Sequence, residues 1–239
     1  MSVRGAVLAA VALLASCGGG SATRSRTTSQ EPPLPTTAKQ RPLAHPVLIA
    51  ALGDSITAGS PLWDPDPARR RALGDGVNEQ SQYEYWAARR LGPNARFRNC
   101  GVFGETTAQI ARRLDRCARG AQVLMVQGGI NDVYRPIAPE RSAANLRAMV
   151  RRGRRLGLRV VLANVLPWNN GYPRFAAKIA RLNDLIAGVG RDERVPVLPF
   201  FQALEDPQRR GTMRADWTID GDHPSVPGYR RLAEVIAIP

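Results

Sequence analysis

Lysine is almost absent from this chain of 239 residues. Only Lys39 and Lys178 occur among the 34 basic residues, so arginine carries the net charge of +14. Such a positive charge suits a protein that binds anionic partners such as phosphates, lipid headgroups or acidic glycans. The alternative is GC-rich coding, which by itself raises the arginine content. The chain also lacks a Gly-Lys phosphate loop, zinc-ligand spacing and an aromatic RNA-binding signature. A nucleic acid is therefore disfavoured as the partner.

The longest apolar run is too short to cross a membrane as a helix. It covers Ala6–Ala15, follows the single cation Arg4, and has the length of a secretory signal core. It ends in Leu14-Ala15-Ser16-Cys17, which resembles the lipobox of bacterial lipoproteins. The resemblance implies a signal peptide over 1–16 and lipid on the sulfur of Cys17. The alternative is a plain signal peptide with an incidental cysteine.

A lipidated Cys17 implies an exported protein held on the extracytoplasmic face of the cell membrane, because more than one acyl chain gives stable attachment. Residues 18–45 contain four prolines, many Gly, Ser and Thr, and hardly an apolar side chain. Such a segment cannot bury enough surface to fold. We predict a flexible tether over 17–45 and a single folded domain over 46–239, which we expect to be a monomer.

The pattern of this domain alternates between strands and helices. Val47–Leu52 is a continuous apolar run that stops at Gly53, as in a strand buried on both faces. Further strands are predicted near 97–100, 123–126, 160–165 and 195–198, and helices near 80–91, 107–118, 139–156, 172–187 and 226–236. Five strands separated by helices predict an α/β fold, in which a parallel sheet is covered on both faces.

Four polar blocks lie at or just beyond the predicted strand ends, where ligands sit in open α/β sheets. They are Gly53-Asp54-Ser55-Ile56, Asn99–Thr106, Gly129-Ile130-Asn131-Asp132 and Asp220-Gly221-Asp222-His223-Pro224. Their order and spacing resemble the SGNH hydrolases, also called GDSL lipases and esterases. The resemblance covers the domain from Val47 onward. It implies a flavodoxin-like three-layer α/β/α sandwich whose five-stranded parallel sheet has the strand order 2-1-3-4-5.

A serine nucleophile needs a base, and the chain has only two histidines. His45 falls in the predicted tether, at the wrong end of the sheet, so His223 is the candidate base for Ser55. Asp220, three residues earlier, is the candidate acid that orients the ring. Asp222 competes for that role, but we interpret it as a solvent-facing turn residue.

The oxyanion formed during attack needs preorganised N–H donors. Gly104 offers an unobstructed backbone N–H, Asn131 a side-chain amide and Ser55 its own backbone N–H; the resemblance implies the same roles for the glycine and the asparagine. The alternative is a bulge glycine and a turn asparagine. Asp54 and Asp132 are interpreted as capping or bracing residues. The resemblance implies a serine esterase that needs no cofactor and no metal.

The substrate is the least determined feature of the sequence. Loops after the first, fourth and fifth strands supply aromatic and polar side chains for the rim of the site, of which the candidate substrate-binding residues are Trp63, Trp168, Asn169, Tyr172 and Trp217. With no long apolar lid, they favour short-chain acyl esters on a polar or carbohydrate-like substrate. A lysophospholipase or thioesterase, an acyltransferase, and a non-catalytic glycan- or lipid-binding lipoprotein are alternatives.

Two further features stay open at this stage. Export favours a disulfide between Cys100 and Cys117, whereas a straight helix over 107–118 would separate them by more than the ~7 Å that a bridge spans between Cα atoms. The arginine-rich segment Arg141–Arg159 could steer the domain onto an anionic membrane, or it could be the solvated face of one helix.

Overall fold

The computed structural model describes residues 43–239; the predicted signal peptide, Cys17 and residues 17–42 of the predicted tether lie outside them. Five parallel strands form one sheet in the order β2-β1-β3-β4-β5, which confirms the predicted order. They are β1 (Val47–Gly53), β2 (Ala95–Gly101), β3 (Val123–Val126), β4 (Arg159–Ala163) and β5 (Val197–Leu198). No helix within residues 43–239 is long and apolar enough to span a bilayer.

Helices cover both faces of the sheet. In chain order they are α1 (Ser55–Ala58), α2 (Pro67–Ala72), α3 (Tyr83–Leu91), α4 (Thr107–Arg112), α5 (Leu114–Ala118), α6 (Ile130–Tyr134), α7 (Pro139–Arg155), α8 (Ala176–Glu193), α9 (Phe200–Leu204) and α10 (Val226–Glu234). Short 3₁₀ turns cover Gly74–Gly76 and Ala215–Trp217, and a small antiparallel hairpin pairs β6 (Glu205–Asp206) with β7 (Arg209–Met213).

The core consists of two apolar layers, one on each face of the sheet. Successive side chains of a strand point to opposite faces, so Ile49 and Ala51 of β1 join the layer under α3 and α10, and Ala50 and Leu52 join the layer under α4, α5, α7 and α8. β3 is divided in the same way, and all four of its residues are buried. This double burial explains why both strands are continuous apolar runs.

The predicted helix over 107–118 is instead two helices that meet at Arg113, which ends α4 and caps α5. Cys117 in α5 and Cys100 in β2 form a disulfide with a Cα–Cα distance of 6.1 Å. The disulfide, which the sequence left open, is therefore present, and the objection that holds for a straight helix does not apply. A loop of this size, with a sequence separation of 17, contributes about 3 kcal/mol when it is closed.

The arginines of α7 pair with acidic side chains of neighbouring helices. Two of them pair with α8: Arg147 lies 2.7 Å from Asp192, and Arg151 lies 2.8 Å from Glu193. Arg152 lies 2.7 Å from Asp115 in α5. These contacts match the interpretation of the segment as the solvated face of one helix.

Candidate active site

Ser55 lies at the carboxyl end of β1, on the turn into α1. Asp54 caps this short helix, and its Oδ1 accepts from the Ile56 N–H at 3.0 Å. The turn is tight: a Cβ on Gly53 would lie 2.1 Å from Oγ1 of Thr57, so only glycine fits before the cap. The central position of β1 in the sheet therefore holds the Ser55 hydroxyl at the rim where the other polar loops converge.

The three predicted triad residues form one hydrogen-bonded chain. Nε2 of His223 lies 3.1 Å from Oγ of Ser55, and Nδ1 of His223 lies 2.7 Å from Oδ2 of Asp220. With Nδ1–H donating to the carboxylate, Nε2 is left to accept the Ser55 proton. This arrangement can activate the hydroxyl as a nucleophile.

The carboxylate of Asp220 is also held by the backbone of its own loop. Its Oδ1 accepts from the N–H groups of Asp222 and His223 at 2.9 and 2.7 Å. Burial opposes its ionisation, but the hydrogen bonds from His223 and Asp222 outweigh burial and hold the pKa of Asp220 below its usual value. Asp220 thus stays ionised beside the imidazole.

Short-range bonds hold the loop that carries Asp220 and His223 in a closed shape. The carbonyl of His223 accepts from the Ile219 N–H at 3.1 Å and from Oγ1 of Thr218 at 2.9 Å. Gly221 adopts φ +85°, and a Cβ there would lie 2.5 Å from Oδ1 of Asn170. The loop therefore needs glycine at this position, both for its backbone and for the close approach of Asn170.

The predicted oxyanion donors lie on loops that are tied together. Nδ2 of Asn131 donates to the carbonyl of Glu105 at 3.0 Å, which places this amide beside the loop of Gly104. The Val102 N–H donates to the Gly53 carbonyl at 3.1 Å and joins the same loop to the Ser55 turn. Within residues 43–239, the N–H groups of Ser55 and Gly104 have no protein acceptor. Both remain available to a ligand oxygen.

Arg113 is a structural element of the site that the sequence reasoning missed. Its guanidinium donates to the carboxylate of Glu105 (Nη2–Oε2 2.6 Å), to the carbonyl of Cys100 at 2.7 Å and to the carbonyl of Gly53 at 3.0 Å. It therefore clamps the ends of β1 and β2 to the loop of Gly104. The only sequence signal was Glu105, the charged residue directly after the predicted oxyanion donor Gly104.

Asp132 is a buried brace, as predicted. It accepts from the N–H of Thr107 at 2.8 Å, from Oγ1 of Thr107 at 2.6 Å and from Oγ of Ser142 at 2.9 Å. These bonds tie α6, which carries Asn131, to α4 and α7.

Asp222 is not the solvent-facing turn residue that was predicted. Its Oδ1 accepts from Nε1 of Trp168 at 2.5 Å and from Nδ2 of Asn170 at 2.7 Å. The bond to Trp168 joins the His223 loop to the loop after β4. Sequence spacing alone did not indicate this contact, because the partners are 54 positions apart.

Two predicted rim residues make contacts within the framework. Trp217 is only 3% exposed and packs in the apolar layer with α10, between the guanidinium groups of Arg214 and Arg231. The amide of Asn169 both donates to and accepts from the backbone of Met213. Burial therefore removes Trp217 from the rim, whereas substrate binding by Asn169 stays a prediction.

The other three predicted rim residues, Trp63, Trp168 and Tyr172, each pack against a different neighbour. Trp168 is half-buried and stacks on Phe175 with ring centroids 5.2 Å apart. Trp63 lies under the guanidinium of Arg70, and Tyr172, 37% exposed, packs beside Gly211. Within the described part of the chain, no hydrogen bond or ring contact joins these three to Ser55 or His223.

Phe103 contacts the base directly, although no sequence pattern singled it out. Its ring centroid lies 5.9 Å from that of His223, with an interplanar angle of 30°. The side chain is 56% exposed. An apolar ring thus covers one side of the imidazole next to the loop of Gly104.

Asp54 makes the stability of the site depend on pH. Its carboxyl is wholly buried, and among the described residues Oδ2 has no hydrogen-bond partner. Burial raises its pKa from 3.8 to about 6. Because the folded chain then binds the proton more tightly than the unfolded chain, the free energy of unfolding should fall by about 3 kcal/mol as pH rises from about 4 to about 6.

We expect Asp54→Asn to remove this contribution, since the amide oxygen can still accept from Ile56. Denaturant unfolding at several pH values between 4 and 7 measures it. Asp64→Asn, at another buried aspartate, serves as the control. An unchanged slope in Asp54→Asn would show that other groups cause the pH dependence.

Comparison with known proteins places this geometry among ester hydrolases. Residues 51–231 match the profile of the GDSL-like Lipase/Acylhydrolase family. Esterase TesA of Pseudomonas aeruginosa is 31% identical over 140 residues, which are 57% of this chain and 65% of that esterase. The chain thus spans just under two thirds of the length of this relative.

Solved structures share the fold. The crystal structure of TesA is 26% identical, covers 78% of this chain and 94% of its own, and has a TM-score of 0.59. A G-D-S-L family protein from Desulfitobacterium hafniense DCB-2 has a TM-score of 0.65, with coverages of 79% and 97%. At 19% identity it supports the fold alone.

Proposed function

This chain belongs to the GDSL-like lipase/acylhydrolase family, and from that membership we propose that it hydrolyses carboxylic esters through a covalent acyl-enzyme on Ser55. The observation that carries the proposal is the continuous chain from Asp220 through His223 to Ser55, with distances of 2.7 and 3.1 Å. Both distances lie within the reach that proton transfer requires.

The reaction proceeds in two halves. Nε2 of His223 takes the proton from Oγ of Ser55 as the oxygen attacks the ester carbonyl, and the imidazolium then protonates the alcohol that leaves. Water enters, gives its proton to His223 and attacks the acyl-enzyme, which releases the acid and restores Ser55. Asp220 stabilises the imidazolium in both halves.

The negative charge on the carbonyl oxygen is stabilised by three donors. These are the backbone N–H groups of Ser55 and Gly104 and the side-chain amide of Asn131. The tie between Asn131 and the carbonyl of Glu105 supports this role, because it orients the amide toward the Gly104 loop before substrate arrives. A non-catalytic lipid- or glycan-binding protein would have no use for a base poised on a serine hydroxyl.

Labelling with a fluorophosphonate probe, followed by an ester panel, tests the proposal. We expect Ser55 to be modified and esters to be cleaved equally with and without EDTA, since we propose that no metal or cofactor takes part. Addition of acceptor alcohols separates hydrolysis from acyl transfer, because both begin with the same acyl-enzyme. Absence of both labelling and turnover would contradict the proposed function.

We infer that the natural substrate is a short-chain acyl ester on a polar, carbohydrate-like alcohol. Amide and carboxylate groups on the loops beside the site support this inference: Asn170 and Asp222 lie next to Trp168, whose indole offers a flat surface to a sugar ring. Lysophospholipids or thioesters are the second candidate class. The exposed apolar side chains of Phe103, Tyr134 and Ile219 favour it.

A p-nitrophenyl ester series decides between these classes. We expect kcat/KM to be highest from acetate to butyrate and to fall for longer chains. Each CH₂ buried would contribute about 0.8 kcal/mol, or roughly fourfold in kcat/KM. A steady rise of kcat/KM from acetate to laurate would contradict the short-acyl proposal and support lysophospholipids or thioesters as the substrate class.

We propose further that the protein is anchored by lipid on Cys17, on the extracytoplasmic face of the membrane. The lipobox-like sequence before Cys17 supports this proposal. We expect the wild-type protein to partition into the detergent phase, and Cys17→Ala to appear in the aqueous phase or unprocessed. A wild-type product that is soluble and cut elsewhere would contradict the anchor.

A further inference from the structure

A cavity of about 650 Å³ lies at the free edge of β2. Its walls are the end of β2, the loop after α1 and the helix α5. The disulfide between Cys100 and Cys117 lines its floor. The charged residues in its walls are Arg69, Arg98, Arg113, Arg116, Asp64 and Asp66.

The two carboxylates of this cavity, Asp64 and Asp66, accept hydrogen bonds from backbone N–H groups of their own segment. Oδ1 of Asp66 caps α2 through the Ala68 N–H, and Oδ1 of Asp64 accepts from the Asp66 N–H, both at 2.8 Å. Arg69 lies 3.9 Å from Asp64, at the limit of an ion pair, and its side chain is 52% exposed. These contacts leave the charge of Arg69 incompletely compensated.

Among the described residues, two other guanidinium groups of the cavity wall have no carboxylate partner. Arg98 donates through Nη1 to the carbonyls of Cys117 and Arg119, at 2.8 and 2.6 Å, which orients the group but does not neutralise its charge. Arg116 is exposed on α5 and forms no hydrogen bond or ion pair within residues 43–239. The walls therefore present donors suited to an anion with two or three oxygens.

The cavity wall is continuous with the loop that carries Phe103 and Gly104. The cavity wall includes Val102, directly before Phe103, whose ring packs against His223. Since the His223 imidazolium protonates the leaving oxygen, the alcohol must lie on the His223 side of the ester. Arg113, another wall residue, donates to the Gly53 carbonyl two residues before Ser55.

We propose that this cavity binds a carboxylate or phosphate group on the alcohol portion of the substrate. The inference rests on the proposed ester hydrolysis and names a class of substrate for it: esters whose alcohol carries an anionic group. Arg98, Arg69 and Arg116 hold that group, and the acyl ester lies over Ser55. The anion is either part of a soluble molecule or a phospholipid headgroup.

Matched substrates test this subsite directly. Acetate esters of ω-hydroxy acids, with two to eight CH₂ groups between ester and carboxylate, are compared with the corresponding primary amides. At the spacer that reaches the cavity, we expect the carboxylate to be preferred about tenfold in kcat/KM, mainly through a lower KM. Arg69→Ala combined with Arg116→Ala should abolish the preference and leave turnover of the amide unchanged.

Arg112→Ala is the control for each of the two substitutions, because it removes one arginine from the adjoining helix α4 and does not line the cavity. It should keep the preference. Equal kcat/KM for carboxylate and amide at every spacer, or equal loss in Arg112→Ala, would overturn the subsite. If the amides too are not cleaved, the proposed hydrolysis fails, and binding of glycerol 3-phosphate to wild type and to the double variant decides the subsite alone.

Competition separates the two sources of the anion. Soluble glycerol 3-phosphate and vesicles of phosphatidylglycerol are each added to the assay with the neutral and the charged ester. Selective inhibition of the charged ester by glycerol 3-phosphate supports a soluble substrate, and inhibition by the vesicles alone supports a headgroup. No selective inhibition by either would overturn the proposal.

Discussion

Ser55→Ala and His223→Ala are each expected to reduce kcat by on the order of 10⁴-fold or more. The two side chains act as one unit, since the hydroxyl at 3.1 Å from Nε2 is a poor nucleophile without its base. The double variant should therefore be no worse than either single variant. Rates on a p-nitrophenyl ester, measured at equal concentrations of folded protein, check this expectation.

His45→Ala is the matched control for the base. His45 is the only other histidine of the chain, and it is exposed before the start of β1. Its removal should leave kcat unchanged. Turnover that survives in His223→Ala would remove His223 from the reaction, and multiplicative losses in the double variant would show that the two residues act independently.

Asp220→Asn should reduce kcat by about 10³- to 10⁴-fold. The amide oxygen can still accept from the backbone of Asp222 and His223, so the loop should keep its shape. What is lost is the carboxylate 2.7 Å from Nδ1 of His223, which selects the tautomer and stabilises the imidazolium. Steady-state kinetics should show the loss in kcat, with KM little changed.

Asp222→Asn distinguishes the two candidate acids. Its amide oxygen can still accept from Trp168 and Asn170, so the junction between the two loops is retained. We expect a loss of less than about tenfold. If Asp222→Asn instead abolishes activity and Asp220→Asn does not, the acid has been assigned to the wrong residue.

The presence of a parallel sheet covered on both faces could be predicted because burial leaves a direct trace in the sequence, whereas the strand order 2-1-3-4-5 was implied by the family resemblance. β1 and β3 are covered on both faces and read as unbroken apolar runs, and the polar blocks after them mark the rim. The juxtaposition of Ser55, Asp220 and His223 followed from those blocks. The strands could be predicted because their pattern lies within a few consecutive residues. The meeting of the polar blocks could be predicted because the carboxyl ends of parallel strands lie at one edge of a sheet.

Contacts between loops could not be predicted. Trp217 and Asn169 were expected on the rim; Trp217 packs under α10 instead, and Asn169 also binds the backbone of Met213. A tryptophan or an asparagine in a loop has the same sequence signature in either role. The short hairpin of β6 and β7, which supplies Met213, carried no recognisable alternation and was not predicted.

The break between α4 and α5 was missed for a similar reason. Arg113 is a good helix former by itself, and no glycine or proline marks the position. The bonds of its guanidinium to the Cys100 and Gly53 carbonyls and the disulfide at Cys117 join α4 and α5 to the sheet. Tertiary contacts of this kind override local propensity and cannot be deduced from the segment alone.

The spacing of the triad along the chain has a consequence for biosynthesis. Ser55 begins the helix after the first strand, and its proposed base follows 168 residues later, on the loop before α10. A ribosome thus makes Ser55 well before Asp220 and His223. Under the proposed mechanism, we expect a nascent chain that has not reached His223 to be inactive toward esters, so activity should begin only after synthesis has passed this residue.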